Sequence, residues 1–165
     1  MRVVLIVLLL TLIAPVGADE LRGNVVAVVD GETFTLITND NRQHRIRLAG
    51  IDAPEREQPF ADQSKQNLTK LTNSRALRAN CPKRDSYGRL VCKVYAGGVD
   101  VGLKQIHDGL AWWYRALAHE QSPTDRQRYA FEEHEAREAK RGLWADPKPT
   151  PPWEWRAHGR QKRSP

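Results

Sequence analysis

Between Asn24 and Ile51, apolar and polar residues alternate in short runs, and this stretch restricts the fold more than any other. The runs are NVVAVVD, GETFTLIT and RQHRIRLAGI. Asp30-Gly31 and Asn39-Asp40-Asn41 separate them, and both favour tight turns. A two-residue period broken by such turns predicts an antiparallel meander of strands. In the third run Arg45, Arg47 and Gly50 share one face, while Ile46, Leu48 and, roughly, Ile51 take the other.

Beyond Pro54 and Pro59 the period changes. Phe60, Ser64, Leu68 and Leu71 recur at helical spacing and predict a helix from about Gln58 to Arg78. Asp85, Tyr87 and Gly88 then mark a turn between two extended runs, so a hairpin is expected to end near Tyr95. Val101 to His107 reads as a short helix closed by Gly109. Ser122-Pro123 has the chemistry of an N-cap and first helical position. Tyr129, Ala136, Ala139 and Leu143 are expected to form that helix's buried stripe, with Gly142 as its stop. Five strands, with a helix after the third and more after the fifth, predict an α+β fold that is mainly β. It is a five-stranded Greek-key barrel of the oligonucleotide-binding (OB) kind with about three α-helices.

The ends of the chain differ from this middle. MRVVLIVLLLTLIAPVGA carries Arg2, an apolar run from Val3 to Ile13, Pro15, and small residues before the Ala18 boundary. That is the pattern of a signal peptide cleaved after about Ala18, and it predicts export to a periplasm or the extracellular space. A spanning helix needs about 20 apolar residues, more than this run holds; an uncleaved anchor is the competing reading. Residues 19–146 are then one domain, and 147–165 a Pro/Trp-rich basic tail expected to be disordered beyond Trp155. Two cysteines, Cys81 and Cys92, lie on the hairpin arms. In an oxidising compartment they are expected to bridge, two buried free thiols being the alternative. The net charge of +6 favours a polyanionic partner without identifying one. Nothing suggests an obligate dimer, so a monomer is expected.

Three segments concentrate charge at turns and strand ends. VVDGETFTL carries Asp30 and Glu32, RIRLAGIDAPE carries Arg47, Asp52 and Glu55, and DSYGR carries Arg89. Singly, each suits turn or capping chemistry. Together they hold what phosphodiester hydrolysis requires. Hard oxygen ligands suit a divalent cation, and a carboxylate suits deprotonation of water. Guanidinium groups suit the charge that develops on phosphorus. His44, His107, His119, His134 and His158 show no metal-ligand spacing, and no Ser-His-Asp or phosphate-cradling glycine motif is recognisable.

These segments, in their order and spacing, resemble the thermonuclease family, of which staphylococcal (micrococcal) nuclease is a member. VVDGETFTL is similar to its V-x-D-G-D-T segment, RLAGIDAPE to R-L-x-G-I-D-A-P-E, and DSYGRLV to D-x-Y-G-R. DVGLKQIHDGLAWWYR resembles a later D-V-N-x-x-L-V-x-x-G-x-A segment, and YAFEEHEAREAKRGLW and PPWEWR resemble the end of exported bacterial members. The resemblance implies an OB barrel and calcium-dependent cleavage of DNA and RNA, leaving 3′-phosphates. By position it makes Asp52 a metal ligand, joined by the Ala53 carbonyl, Glu55 the general base, and Arg47 and Arg89 the phosphate-binding arginines. Tyr87 and Tyr114 are the nucleotide-binding candidates, although Ser86 replaces a basic residue beside Tyr87. Trp112, Trp113 and Tyr114 could stack on bases or pack in the core.

One departure bears on the metal. The family's second acidic residue in D-G-D-T is an aspartate ligand, and here it is Glu32. Its side chain is longer by about 1.5 Å. Calcium tolerates variable oxygen geometry, yet a displacement of about 1 Å can cost roughly a hundredfold in rate. Adapted catalysis with calcium, a preference for magnesium or another divalent ion, and weakened turnover are the three outcomes. The expectation is a nonspecific nuclease acting on DNA and RNA, with single strands favoured. The alternative is a nucleic-acid-binding module whose catalysis Glu32 weakened or abolished.

Overall fold

In the computed structural model, which describes residues 19–73 and 75–161, the meander is β1 (Asp19–Val28), β2 (Thr33–Thr38) and β3 (Gln43–Leu48). The predicted signal peptide lies outside the described residues. β1 begins several residues ahead of the alternating run, because Asp19 to Gly23 pair antiparallel with β5 (Leu77–Arg84). Its register shifts between Val25 and Ala27, a bulge that turns Val26 outward. β6 (Leu90–Ala96) follows β5 and pairs in parallel with β3, Ile46 opposite Leu90 and Leu48 opposite Cys92. That last pairing closes the order β3-β2-β1-β5-β6 into the expected five-stranded barrel.

Two short ladders extend it. β7 (Val99–Asp100) pairs with β6, and β4 (Ile51–Asp52) pairs with β8 (Trp112–Trp113). The helices are α1 (Ala61–Thr72), α2 (Val101–His107), α3 (Pro123–Glu138) and α4 (Pro152–Gln161). The barrel interior is filled by the inward positions of the strands: Phe34 and Leu36, Ile46 and Leu48, Leu77 and Ala79, Cys92 and Val94. Leu68, Val101 and Ile106 join them from α1 and α2. A second cluster of Trp112, Ala136, Leu143 and Trp144 lies under α3, with Phe60 and Trp153 packed against it.

Three expectations are corrected. The first helix does not run from Gln58 to Arg78. Left-handed backbone at Glu57 and Phe60 holds off the helix until Ala61, and β5 claims the chain from Leu77. Ala139 is exposed and is not part of the α3 stripe. Its place on the inward face belongs to Glu133, one turn from both Tyr129 and Ala136. Nor is the chain irregular past Trp155, since α4 continues to Gln161.

Glu133 is almost fully buried, yet its charge is matched. Arg115 Nη2 donates to Oε2 at 2.6 Å, Arg137 lies 3.4 Å from the same oxygen, and the Trp113 N–H donates to Oε1 at 3.0 Å. This anchors β8, and β8 in turn fixes Asp52 on β4 through the Asp52–Trp112 pairing. The buried carboxylate of α3 thus positions a strand that carries a site residue.

Cys81 and Cys92 are bridged, joining β5 to β6 with a sequence separation of 11. The bridge sits where β5 and β6 slip register and where Cys92 meets Leu48 across the barrel closure. Closing so short a loop contributes about 3 kcal/mol through the unfolded chain. Cys81→Ala/Cys92→Ala is therefore expected to lower the melting temperature by about 10 °C. Calorimetry on the double variant checks this; an unchanged Tm would show that the pairing of β5 with β6 suffices.

Candidate active site

The site lies where the β1–β2 turn, β3, the segment after β4 and the β5–β6 turn come together at one end of the barrel. The β1–β2 turn is built by Asp30, whose Oδ1 accepts from the Glu32 and Thr33 amides at 2.9 and 2.6 Å. Gln105 on α2 pins the same turn by donating to the Gly31 carbonyl at 2.7 Å. Any side chain at Gly31 would meet the Ser64 hydroxyl, since a Cβ there falls 1.9 Å from Ser64 Oγ. The close approach of turn and helix α1 brings Glu32 against Ala53, whose N–H donates to Glu32 Oε2 at 3.1 Å.

Arg47 comes from the polar face of β3. Its Nε donates to Glu32 Oε1 at 3.0 Å, its Nη2 donates to the Ile51 carbonyl at 3.2 Å, and Nη2 lies 4.0 Å from Asp52 Oδ1. Asp52 is fully buried at the end of β4, and Glu55 is partly exposed on the loop beyond it. The Glu55 N–H donates to Gln58 Oε1 at 2.9 Å, while Gln58 Nε2 reaches the Thr150 carbonyl at 2.6 Å. On the β5–β6 turn, Arg89 Nε donates to Asp85 Oδ2 at 2.7 Å and its Nη1 to Thr33 Oγ1 at 3.2 Å. Asp85 Oδ1 also accepts from the Tyr87 and Arg89 amides, so one carboxylate folds the turn and aims its arginine.

These groups line a cleft of about 630 Å³ that holds Glu32, Arg47, Glu55, Tyr87, Arg89 and Tyr114 in its wall, together with Arg45 and Arg156. Tyr87 stands at the rim, 83% exposed, with its ring 5.5 Å from the Arg89 guanidinium. Of the three consecutive aromatics only Tyr114 faces the cleft. Trp112 packs edge-on to Trp144, and Trp113 lies under Arg115 and donates Nε1–H to Gln121. A neighbouring cleft shares Asp30, Glu32 and Glu55 and adds Glu57 and Asp62, so the acidic side of the site opens to solvent on a second face.

One charged residue that the sequence does not place at the site is Arg156 on α4. Its Nη2 donates to Asp52 Oδ2 at 2.7 Å and its Nη1 to Asp52 Oδ1 at 3.0 Å and Glu55 Oε1 at 2.5 Å. PPWEWR speaks only through its resemblance, and a basic tail gives no signal of docking. Asp85 and Gln58 also went unassigned; the D-x-x-x-R spacing of DSYGR is the one feature that points to the first.

Glu32 is strongly perturbed. Its burial, and after it the charges of Asp52 and Asp30, raise the carboxyl from its usual value of 4.5 to about 8, while Arg47 and the Ala53 amide act against this. The folded chain thus holds a proton that the unfolded chain has released. The stability carried by that proton is complete below about pH 4.5 and is lost as pH rises towards 8. In metal-free protein Glu32→Gln should flatten this decline, read as the urea midpoint between those two limits; parallel profiles would remove Glu32 as its source.

A divalent cation fits the donor chemistry, since Glu32, Asp52 and the Ala53 carbonyl are hard oxygen groups. The clustering of buried and half-buried carboxylates already draws in a guanidinium. Among the described residues, however, no three acidic, histidine or cysteine side chains converge as a finished metal cage. Glu32 turns to Arg47 and Ala53, and both Asp52 oxygens face Arg156.

Two arginines facing two carboxylates at the mouth of an OB barrel make a site suited to phosphodiester chemistry. The profile of the family described as staphylococcal nuclease homologue matches residues 45–146. The chain belongs to that family. It is 37% identical to a micrococcal nuclease of Shigella flexneri, over 94% of this chain and 91% of that one. An uncharacterized endonuclease of Escherichia coli O157:H7 is 38% identical, with 86% and 89% covered. Another from Haemophilus influenzae is 31% identical, with 92% and 82% covered. Family and relatives support a nuclease function, the hydrolysis of phosphodiester bonds.

Proposed function

We propose that the chain is an exported, metal-dependent endonuclease that cleaves DNA and RNA with little sequence specificity, favours single strands and works as a monomer. The observation that carries this reading is the meeting of Arg47, Arg89 and Glu55 in the wall of one open cleft, with Asp52 buried behind it 4.0 Å from Arg47. Export rests on the N-terminal sequence pattern, and the disulfide is in keeping with it.

A divalent cation, calcium first, bound by Asp52 and Glu32 with the Ala53 carbonyl, would polarise a phosphate oxygen and offset its charge. Arg47 and Arg89 donate to the phosphate from β3 and from the turn that leads into its neighbour β6, and each guanidinium is held beforehand by an acidic side chain, Glu32 or Asp85. Glu55 takes the proton from the attacking water; its loop is fixed by Gln58 and its carboxylate is open enough to admit solvent. Tyr87 and Tyr114 offer faces to the bases on either side. An open groove with aromatic walls accepts a flexible strand more readily than a stiff duplex, and binding weakens as salt rises.

The second reading, a binding module without turnover, draws on the engagement of Glu32 with Arg47 and Ala53 in place of an open ligand. Assays of purified protein on plasmid DNA and on RNA, with calcium, magnesium or chelator, separate the two. Cleavage of both substrates with calcium, lost in chelator, is expected. Oligonucleotide binding without cleavage under any divalent ion would leave the binding module standing.

A further inference from the structure

We propose that Arg156 is a built-in counter-ion to Asp52 and Glu55, and that helix α4 carries it as a clasp that a divalent cation must displace. The proposal rests on the metal-dependent reading above. A guanidinium held by both oxygens of a fully buried carboxylate and by a second acid is doing there what a cation would do. It neutralises charge that buried Asp52 could not leave unmatched at low cost. Arg156 and a cation bound to Asp52 therefore compete for the same oxygen lone pairs.

The helix that delivers Arg156 is suited to letting go. Pro152 is buried, and Trp153 rests on Trp112 at 6.5 Å and Tyr114 at 5.7 Å. Glu154, Trp155, His158 and Gly159 face solvent. The Pro-rich link before α4 is tied to the site loop by Gln58, at the Thr150 carbonyl. A release of Arg156 can thus leave the Trp153 end seated while the rest of the helix swings. Because the guanidinium is tethered to its own chain, it competes at high effective concentration and dilution does not weaken it. A clasp closed for about nine-tenths of the time raises the apparent Kd for the cation about tenfold.

The test is a titration of the full mature chain with calcium chloride alone, by calorimetry and without nucleic acid. Arg156→Gln is expected to bind calcium at least about tenfold more tightly than wild type. Arg156→Lys, which keeps the charge but loses the two-pronged contact, should shift in the same direction by less. In wild type, saturating calcium should speed hydrogen exchange of the 152–161 amides. An equal or higher Kd in Arg156→Gln, or exchange in 152–161 that calcium leaves unchanged or slows, overturns the clasp. If wild type and variant both bind with one Kd, the clasp alone has failed. If neither binds calcium, magnesium or manganese, the metal-dependent reading has failed with it.

Discussion

Arg89→Ala is expected to lower kcat on single-stranded DNA by about a thousandfold while leaving thermal stability within about 1 kcal/mol of wild type. A positioned arginine is worth this much in phosphoryl transfer because the charge it meets grows only as the transition state forms. Here the positioning is explicit. Asp85 holds Nε, Thr33 receives Nη1, and the turn that carries both is folded by the same Asp85 carboxylate. Little reorganisation is left for the moment of reaction. The fold, by contrast, depends little on Arg89, which lies at the cleft wall and not in the barrel core. Arg89→Lys should recover only part of the loss, since an ammonium cannot hold Asp85 and a phosphate with a planar fork. Asp85→Asn should show a smaller deficit that grows from misplacement. If Arg89→Ala stays within tenfold of wild type in kcat, Arg89 is not a transition-state group and the phosphate must be held from the Arg47 side.

How far the sequence foretells this site depends on how local each interaction is. The alternation through Phe34, Leu36, Ile46 and Leu48 is local and periodic, so the meander and its inward face were readable. The order of the short charged segments is equally readable, and it groups Arg47, Asp52, Glu55 and Arg89 by sequence alone. The α1 boundary was not, because it depends on left-handed backbone at Glu57 and Phe60, residues with no strong preference for it. Glu133 was invisible for a different reason. A charged residue on a helix reads as outward-facing until Arg115, from outside the helix, and Arg137, one turn along it, supply its counter-charge. Arg156 is the extreme case, separated from Asp52 by 104 residues and set in a basic, proline-rich stretch. Composition there predicts solvation, whereas Trp153 and the unmatched acids of the site determine docking. For Arg156, and for the Arg115 contact of Glu133, what escaped prediction was a charge pairing beyond the local period, which leaves no repeat in the sequence.

Glu55→Gln should lower kcat by about 10³-fold, within the range that loss of a general base produces, with KM and the Tm close to wild type. Glutamine keeps the length and the Oε1 acceptor of glutamate, so the contact from Arg156 Nη1 and the Gln58 hold on the Glu55 amide both survive. What it removes is the ability to take a proton from water. Steady-state kinetics beside a melting curve therefore isolate the proton-taking step from any change in the loop. Glu55→Asp tests the same group by position: retracting the carboxylate by about 1.5 Å preserves its chemistry but misplaces it, and a loss of roughly a hundredfold is expected. The two variants together discriminate between roles. A large loss in both means that Glu55 acts on the water directly. Should Glu55→Gln retain full activity while Glu55→Asp is impaired, Glu55 serves only to seat Arg156 and the loop, and the base must be sought elsewhere in the cleft.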